Sequence, residues 1–225
     1  MIVIGLTGSI GMGKSTTATM FRRLGVPLHD SDAAVHATMR RGGEAVAAIA
    51  SAFPDVVRDG AVDRAALGAR VFGDAAALRR LESIVHPMVG ARTRRFLSLS
   101  RRHRRSIVVL DVPLLLEGNS HRLCDLVAVV SAPGFIQRQR VLARPGMTDG
   151  RLASILAKQM PDAEKRRRAD RVIPTGLGRA FTMRSVKRLV AGLRRDPAYG
   201  KRIACGKSCS IRRRRAWTPR QGTGS

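Results

Sequence analysis

With 225 residues, 44% of them hydrophobic, the chain can bury one sizeable core and a small inserted subdomain. Aromatics are only 4%, so that core must be assembled from Ala, Val, Leu and Ile. The formal charge is +26, and residues 194–225 hold a dense Lys/Arg set against a single acid, Asp196. No run of about eighteen apolar residues occurs, which excludes a membrane-spanning helix. Cys124, Cys205 and Cys209 form no disulfide framework and point to a reducing cytoplasm.

MIVIGL reads as a buried strand that runs into a glycine-rich loop, too short an apolar start for a signal peptide. A helix from Lys14 to Leu24 follows, with Ala18, Phe21 and Leu24 on one face. VPLHDSD is a second short strand with a polar end. From Ala33 to Arg102 the composition is helical, broken at Arg41-Gly42-Gly43, Phe53-Pro54 and Gly73-Asp74. SIVVLDVP (106–113) and DLVAVVSAP (125–133) are continuous β-branched runs, as expected of strands covered on both faces.

GFIQRQRVLAR is helical up to Pro145-Gly146, and MTDGRLASILAKQM forms the next helix with Thr148 as N-cap. PDAEKRRRAD is a short charged helix with Pro161 in its first turn. RVI (171–173) is a fifth strand, and Ala180 to Leu193 an amphipathic closing helix. Strands alternating with helices give an α/β fold, a five-stranded parallel sheet wrapped on both faces. Periodicity stops at Arg194, and residues 194–225 read as a basic disordered tail, its CGKSC two unpaired thiols rather than a metal site.

Gly8-Ser9-Ile10-Gly11-Met12-Gly13-Lys14-Ser15 fits G-x-x-x-x-G-K-[ST], with the strand before and helix after that this loop requires. Its glycines let successive N–H groups converge on a phosphate, Lys14 reaches the β- and γ-phosphates, and Ser15 offers its hydroxyl to Mg²⁺. Gly8, Gly11, Met12, Gly13, Lys14, Ser15 and Thr16 are the expected ATP-binding set. A GTPase would carry an Asn-Lys-x-Asp motif, but Asn119 is the only Asn and Ser120 follows it. A large ATPase needs more chain. A small-molecule kinase with Mg²⁺ and ATP is what these residues leave.

GLTGSIGMGKSTT, LGVPLHDSDAAVH, LESIVHPMV, VVLDVPLLLEG with RLCD, QRQRVLARPGMT, KQMP and EKRRRAD occur in that order, and together they resemble the dephospho-coenzyme A kinase family from Met1 to about Leu193. The resemblance implies a three-layer P-loop kinase domain over residues 1–193. Within it, about 33–102 is a helical CoA-binding region and about 145–165 a lid. The implied reaction moves the γ-phosphate of ATP to the ribose 3′-hydroxyl of dephospho-CoA, the last step of CoA synthesis. ATP and dephospho-CoA are then the partners of a monomeric cytoplasmic enzyme, with no membrane and no nucleic acid.

Phosphoryl transfer to an alcohol needs a carboxylate at the acceptor hydroxyl and cations around the transferring group. Asp32 matches the family's proposed catalytic Asp, with Asp30 its neighbour in the acceptor network; a helix cap at Ser31 or Asp32 is the structural alternative. The second strand is expected to lie beside the loop-bearing first. His86 and Pro87 match a His-Pro element of the acceptor region, although Pro87 could simply break a helix. Asp111 ends the third strand and could hold the Mg²⁺ water shell or be satisfied by backbone. Arg140 and Arg144, four apart on one helix face, match the base of the lid and would clamp phosphates, Arg140 as a catalytic cation.

Val172-Ile173-Pro174-Thr175-Gly176 stands where the family often has Asp and Asn, so adenine is expected to be read by backbone. Two other classes fit parts of the chain: a kinase for a nucleoside monophosphate or shikimate-like acceptor, and nucleic-acid binding through the Arg tail. One Trp and one Tyr leave few stacking platforms for the latter.

Overall fold

A computed structural model describes residues 1–196; the expectations for the tail beyond Asp196, and for Cys205 and Cys209, lie outside the described residues. The chain divides into two units, one made of Met1–Leu28 with the chain from Arg104 onward, the other of His29–His103.

In chain order, β1 (Ile2–Thr7) leads through the glycine loop into α1 (Lys14–Arg23), and β2 (Leu28–Asp30) follows. The second unit then contains α2 (Ser31–Met39), α3 (Val46–Ala52), β3 (Val57–Arg58), β4 (Ala61–Val62), α4 (Arg64–Val71) and α5 (Ala75–Arg102). The chain returns as β5 (Ile107–Asp111), β6 (Leu126–Ser131), α6 (Gly134–Leu142), α7 (Asp149–Ala157), α8 (Asp162–Arg168), β7 (Arg171–Pro174) and α9 (Arg179–Arg195).

The main sheet has the order β2-β5-β1-β6-β7, with β1 parallel to β5 and β6, and β6 parallel to β7. Side chains alternate across it as the pleat demands. Leu126, Ala128 and Val130 face a core shared with Phe21 of α1 and Val186, Leu189 and Val190 of α9. Val127 and Val129 face Leu115, Leu116, Met160 and Ala169 on the other side. Both faces being covered explains why β5 and β6 read as unbroken apolar runs. Burying a side chain such as Phe21, which is fully covered, contributes about 1.5–3 kcal/mol.

The expected adjacency of the first two strands is not what forms. β5 lies between them, and the Val109 N–H donates to Pro27 O at the sheet edge. The reason is burial: every residue of β5 is buried, whereas β2 is three half-buried residues suited to an edge.

In the second unit, Met39, Ile49, Phe53, Val56, Val62, Leu67 and Val85 build a separate core. Asp63 caps α4 by accepting from the Ala65 and Ala66 N–H groups, and Asp74 caps α5 through Ala76 and Ala77. These backbone bonds hold both carboxyls below their ordinary range. The composition between the breaks at Phe53-Pro54 and Gly73-Asp74 suggests helix, but β3 and β4 form a hairpin there. Asp59 and Gly60 both take positive φ between the paired residues Arg58 and Ala61, the geometry an Asp-Gly hairpin turn needs.

Candidate active site

The phosphate loop leaves the C-terminal end of β1, the edge at which parallel α/β sheets bind ligands. Gly8 passes so close to β6 that a Cβ would sit 2.3 Å from Val130 Cγ2 and 2.8 Å from Val130 O. Gly13 is the N-cap of α1 at φ 88, a left-handed conformation that other residues adopt at a cost. The first intrahelical bond of α1 is Thr17 N–H to Gly13 O, so the N–H groups of Gly13, Lys14, Ser15 and Thr16 are the orphan donors of the helix start. Such a terminus favours an anion electrostatically as well as by hydrogen bonding. Ser15 and Thr16 are exposed there, while the Met12 side chain is buried, its Sδ accepting the Ala132 N–H at 3.1 Å.

Register brings a carboxylate to the same edge. Asp111 is the last residue of β5, paired with Leu6, and its Oδ1 lies 2.8 Å from Lys14 Nζ. Lys14 and Asp111 are therefore joined, with the Ser15 hydroxyl on the next residue of the helix. Hard oxygen donors from a hydroxyl and a carboxylate suit Mg²⁺, which takes few protein ligands and completes its shell with water and phosphate. Among the described residues no cluster of three or more His, Cys, Asp or Glu could hold a metal.

Arg140 also reaches this edge, through a residue that motif reading did not single out as a partner. Its guanidinium donates to Thr175 O at 2.7 Å and Thr175 Oγ1 at 3.3 Å. Thr175 Oγ1 in turn donates to Met12 O at 2.7 Å, inside the phosphate loop. Thr175 is buried, and its methyl side lies against the place a Cβ on Gly13 would occupy. The clue in the sequence was a hydroxyl residue directly after the last strand. Arg144 does not share Arg140's helix face. α6 ends at Leu142, and Arg144 lies in the following turn, exposed, its N–H donating to Val141 O. The Pro145-Gly146 pair stops the helix earlier than expected because the residue before proline avoids the helical region.

Between α6 and β7, Thr148 caps α7 by accepting the Arg151 N–H, and exposed Arg138 pairs with Asp149 across the α6–α7 turn. α8 is anchored by a buried ion pair, Lys165 Nζ to Glu117 Oε1 at 2.9 Å, and Glu117 Oε1 also accepts the Met160 N–H. Cys124 is no nucleophile, since burial pushes its thiol up to about 12.

The acceptor candidates belong to the second unit. Asp30, not Ser31 or Asp32, is the N-cap of α2: its Oδ1 accepts the Ala33 N–H at 3.0 Å. Asp32 is exposed in the first turn of that helix. His86 and Pro87 sit exposed inside the long α5, which runs through Pro87 unbroken. His29, just before Asp30, stacks on Phe96 at 5.3 Å, and its Nε2 lies 3.1 Å from Thr93 Oγ1. Thr93 spends its proton on Val89 O, so His29 is the donor of that pair. Burial is the main cause holding the His29 pKa below its ordinary value.

A G-x-x-x-x-G-K-S loop on a five-stranded parallel sheet, with a lysine–carboxylate pair at the strand ends, defines a P-loop kinase. The family model for dephospho-CoA kinase matches residues 2–177. A dephospho-CoA kinase of Paramagnetospirillum magneticum is 68% identical over 74% of this chain and 78% of its own length. One of Mesorhizobium japonicum is 57% identical over 86% of this chain and 98% of its own. A solved protein of Thermus thermophilus superposes with a TM-score of 0.73 at 35% identity, covering 84% of this chain and 96% of that one. The chain belongs to the dephospho-CoA kinase family.

Proposed function

We propose a division of labour for the transfer of the ATP γ-phosphate to the ribose 3′-hydroxyl of dephospho-CoA. The phosphate loop from Gly8 to Gly13 and the N–H groups through Thr16 hold the ATP phosphates. Lys14 moves from Asp111 to the transferring phosphate, and Arg140 adds a second cation. Arg140 has five N–H donors, of which Thr175 engages two, so the guanidinium is fixed in direction and still has donors for oxygens. Arg144 supports the phosphates from the turn after α6. The observation that carries this is the Lys14–Asp111 pair between the start of α1 and the end of β5, a cation held beside the phosphate loop.

Ser15 and Asp111 would hold Mg²⁺, which when bound neutralises charge on the β- and γ-oxygens. On the acceptor side, Asp32 takes or orients the proton of the 3′-hydroxyl, Asp30 sets the helix start that aims it, and His86 and Pro87 border the CoA moiety. Residues 145–165 act as a lid that excludes water from the transferring phosphate. Adenine is read by backbone at Pro174–Gly176. The enzyme is a cytoplasmic monomer; no helix among the described residues is long and apolar enough to cross a membrane.

An ADP-release assay with dephospho-CoA, AMP and shikimate as acceptors tests the acceptor. Saturable turnover with dephospho-CoA alone is expected. Turnover with another acceptor and none with dephospho-CoA would overturn it.

A further inference from the structure

Ile10 stands in the phosphate loop between Gly8 and Gly11, and its backbone is held at both the N–H and the C=O. Gln137 on α6 donates from Nε2 to Ile10 O at 2.8 Å. Gln159, in the short link from α7 to α8, accepts the Ile10 N–H on Oε1 at 3.1 Å. Gln137 is 8% exposed, so its amide has left water and gains from a protein partner. The two glutamines come from opposite ends of the segment that carries α7, and they meet on one residue, each bonding one of the two peptide groups that flank the Ile10 Cα.

The rest of the loop's first half is fixed as well: the Met12 N–H donates to Ser9 O at 3.1 Å, and Met12 O accepts from Thr175. The Ile10 and Met12 N–H groups are thus taken by protein acceptors, while the N–H groups at the start of α1 face no partner within their helix.

We propose that Gln137 and Gln159 are positioning residues for the phosphate cradle, holding Ile10 by its C=O and its N–H so that the loop keeps its ATP-binding shape in the empty enzyme. A loop already ordered loses less freedom when ATP enters, and affinity rises without a new contact to the ligand. Such a gain stabilises bound ATP and the transition state alike, so it resides in KM for ATP rather than in kcat. The proposal rests on the loop being the ATP site.

The test uses Gln137→Met, Gln159→Met and the double variant of the full chain, since methionine keeps the length and flexibility of glutamine and removes its hydrogen bonds. Melting curves and steady-state kinetics in both substrates are measured. Each single variant is expected to raise KM for ATP about three- to tenfold, the scale of one hydrogen bond, with kcat and KM for dephospho-CoA within about twofold of wild type. The double variant should raise KM by less than the product of the single effects, because both side chains act through one residue, Ile10. Unchanged KM for ATP with a lowered melting temperature would mean a merely structural role and overturn the proposal. So would effects that multiply, or that fall equally on kcat. Should Gln137→Met not fold, Gln159→Met at its half-buried position decides the matter by the same KM criterion. Failure of the ATP assignment itself would show separately, as wild-type enzyme with no ATP-saturable turnover.

Discussion

Lys14 Nζ lies 2.8 Å from Asp111 Oδ1, and the side chains are 16% and 4% exposed. One ion pair thus joins the start of α1 to the end of β5. Little water reaches it, so the attraction is less screened than on an open surface. A polyphosphate entering the loop competes with Asp111 for the same ammonium. Replacing Lys14 by Ala removes that cation, and kcat is expected to fall by about 10²–10³-fold. Turnover against ATP concentration, with a melting curve to verify folding, measures this.

Asp111→Asn keeps the shape of the side chain and removes its charge. If Asp111 orients the water shell of Mg²⁺, the concentration of free Mg²⁺ at half-maximal rate should rise about 10–100-fold, the usual effect of losing an outer-shell partner. A Mg²⁺ titration of the kinase rate is the measurement, and an unchanged midpoint would remove Asp111 from the metal site.

Much of this architecture was legible in the residues, because the main strands carry burial on both faces and therefore continuous apolar runs. Ile107–Asp111 and Leu126–Ser131 are such cases, and the loop between β1 and α1 is written in its glycines. Strand order was not legible, since a pattern of buried residues says that a strand is central but not which neighbour it takes. The β3–β4 hairpin was legible in its Asp-Gly turn and was masked by the helix-forming residues around it. The grip on Ile10 joins residues 127 and 149 positions apart, and no local pattern encodes such a contact.

Asp30 and Asp32 are two residues apart and should respond oppositely. Asp30 caps α2, so Asp30→Ala is expected to cost about 0.5–2 kcal/mol of stability, while Asp30→Asn, also a good cap, costs less. Asp32→Asn leaves the cap intact and is expected to lower kcat by about 10²–10⁴-fold with KM for ATP nearly unchanged. Denaturant melts and steady-state kinetics on the three variants separate the roles. Near-normal kcat in Asp32→Asn would remove it from the chemistry.

His29 gives the second unit a defined response to acid. Burial holds its folded pKa below the ordinary 6.5, so above that value both folded and unfolded chains carry it neutral and its contribution is fully present. As pH falls through 6.5 the unfolded chain takes up a proton first, and stability is lost until the folded pKa is passed. Melting temperature should therefore drop between pH 7.5 and pH 5.5 more in the wild type than in His29→Gln, which has no proton to bind in that window. Equal drops in the two proteins would show that His29 is not the group responsible.

Lys165 and Glu117 form the most deeply buried charge pair among the described salt bridges, with side chains 0% and 9% exposed. Their 2.9 Å approach is an ion pair rather than an aligned hydrogen bond, and the second tie on Glu117 is the Met160 N–H. Both charges were taken out of water, so each depends on the other to offset its lost hydration. Lys165→Met leaves Glu117 charged and buried, and is expected to cost about 3–5 kcal/mol. Glu117→Gln leaves the ammonium alone and should cost a similar amount. The double variant leaves no buried charge at the site, and the glutamine oxygen can still accept from Met160. Its stability should therefore exceed that of either single variant. Denaturant midpoints for the four proteins close this cycle; a double variant less stable than both singles would mean that the pair is not what holds α8 in place.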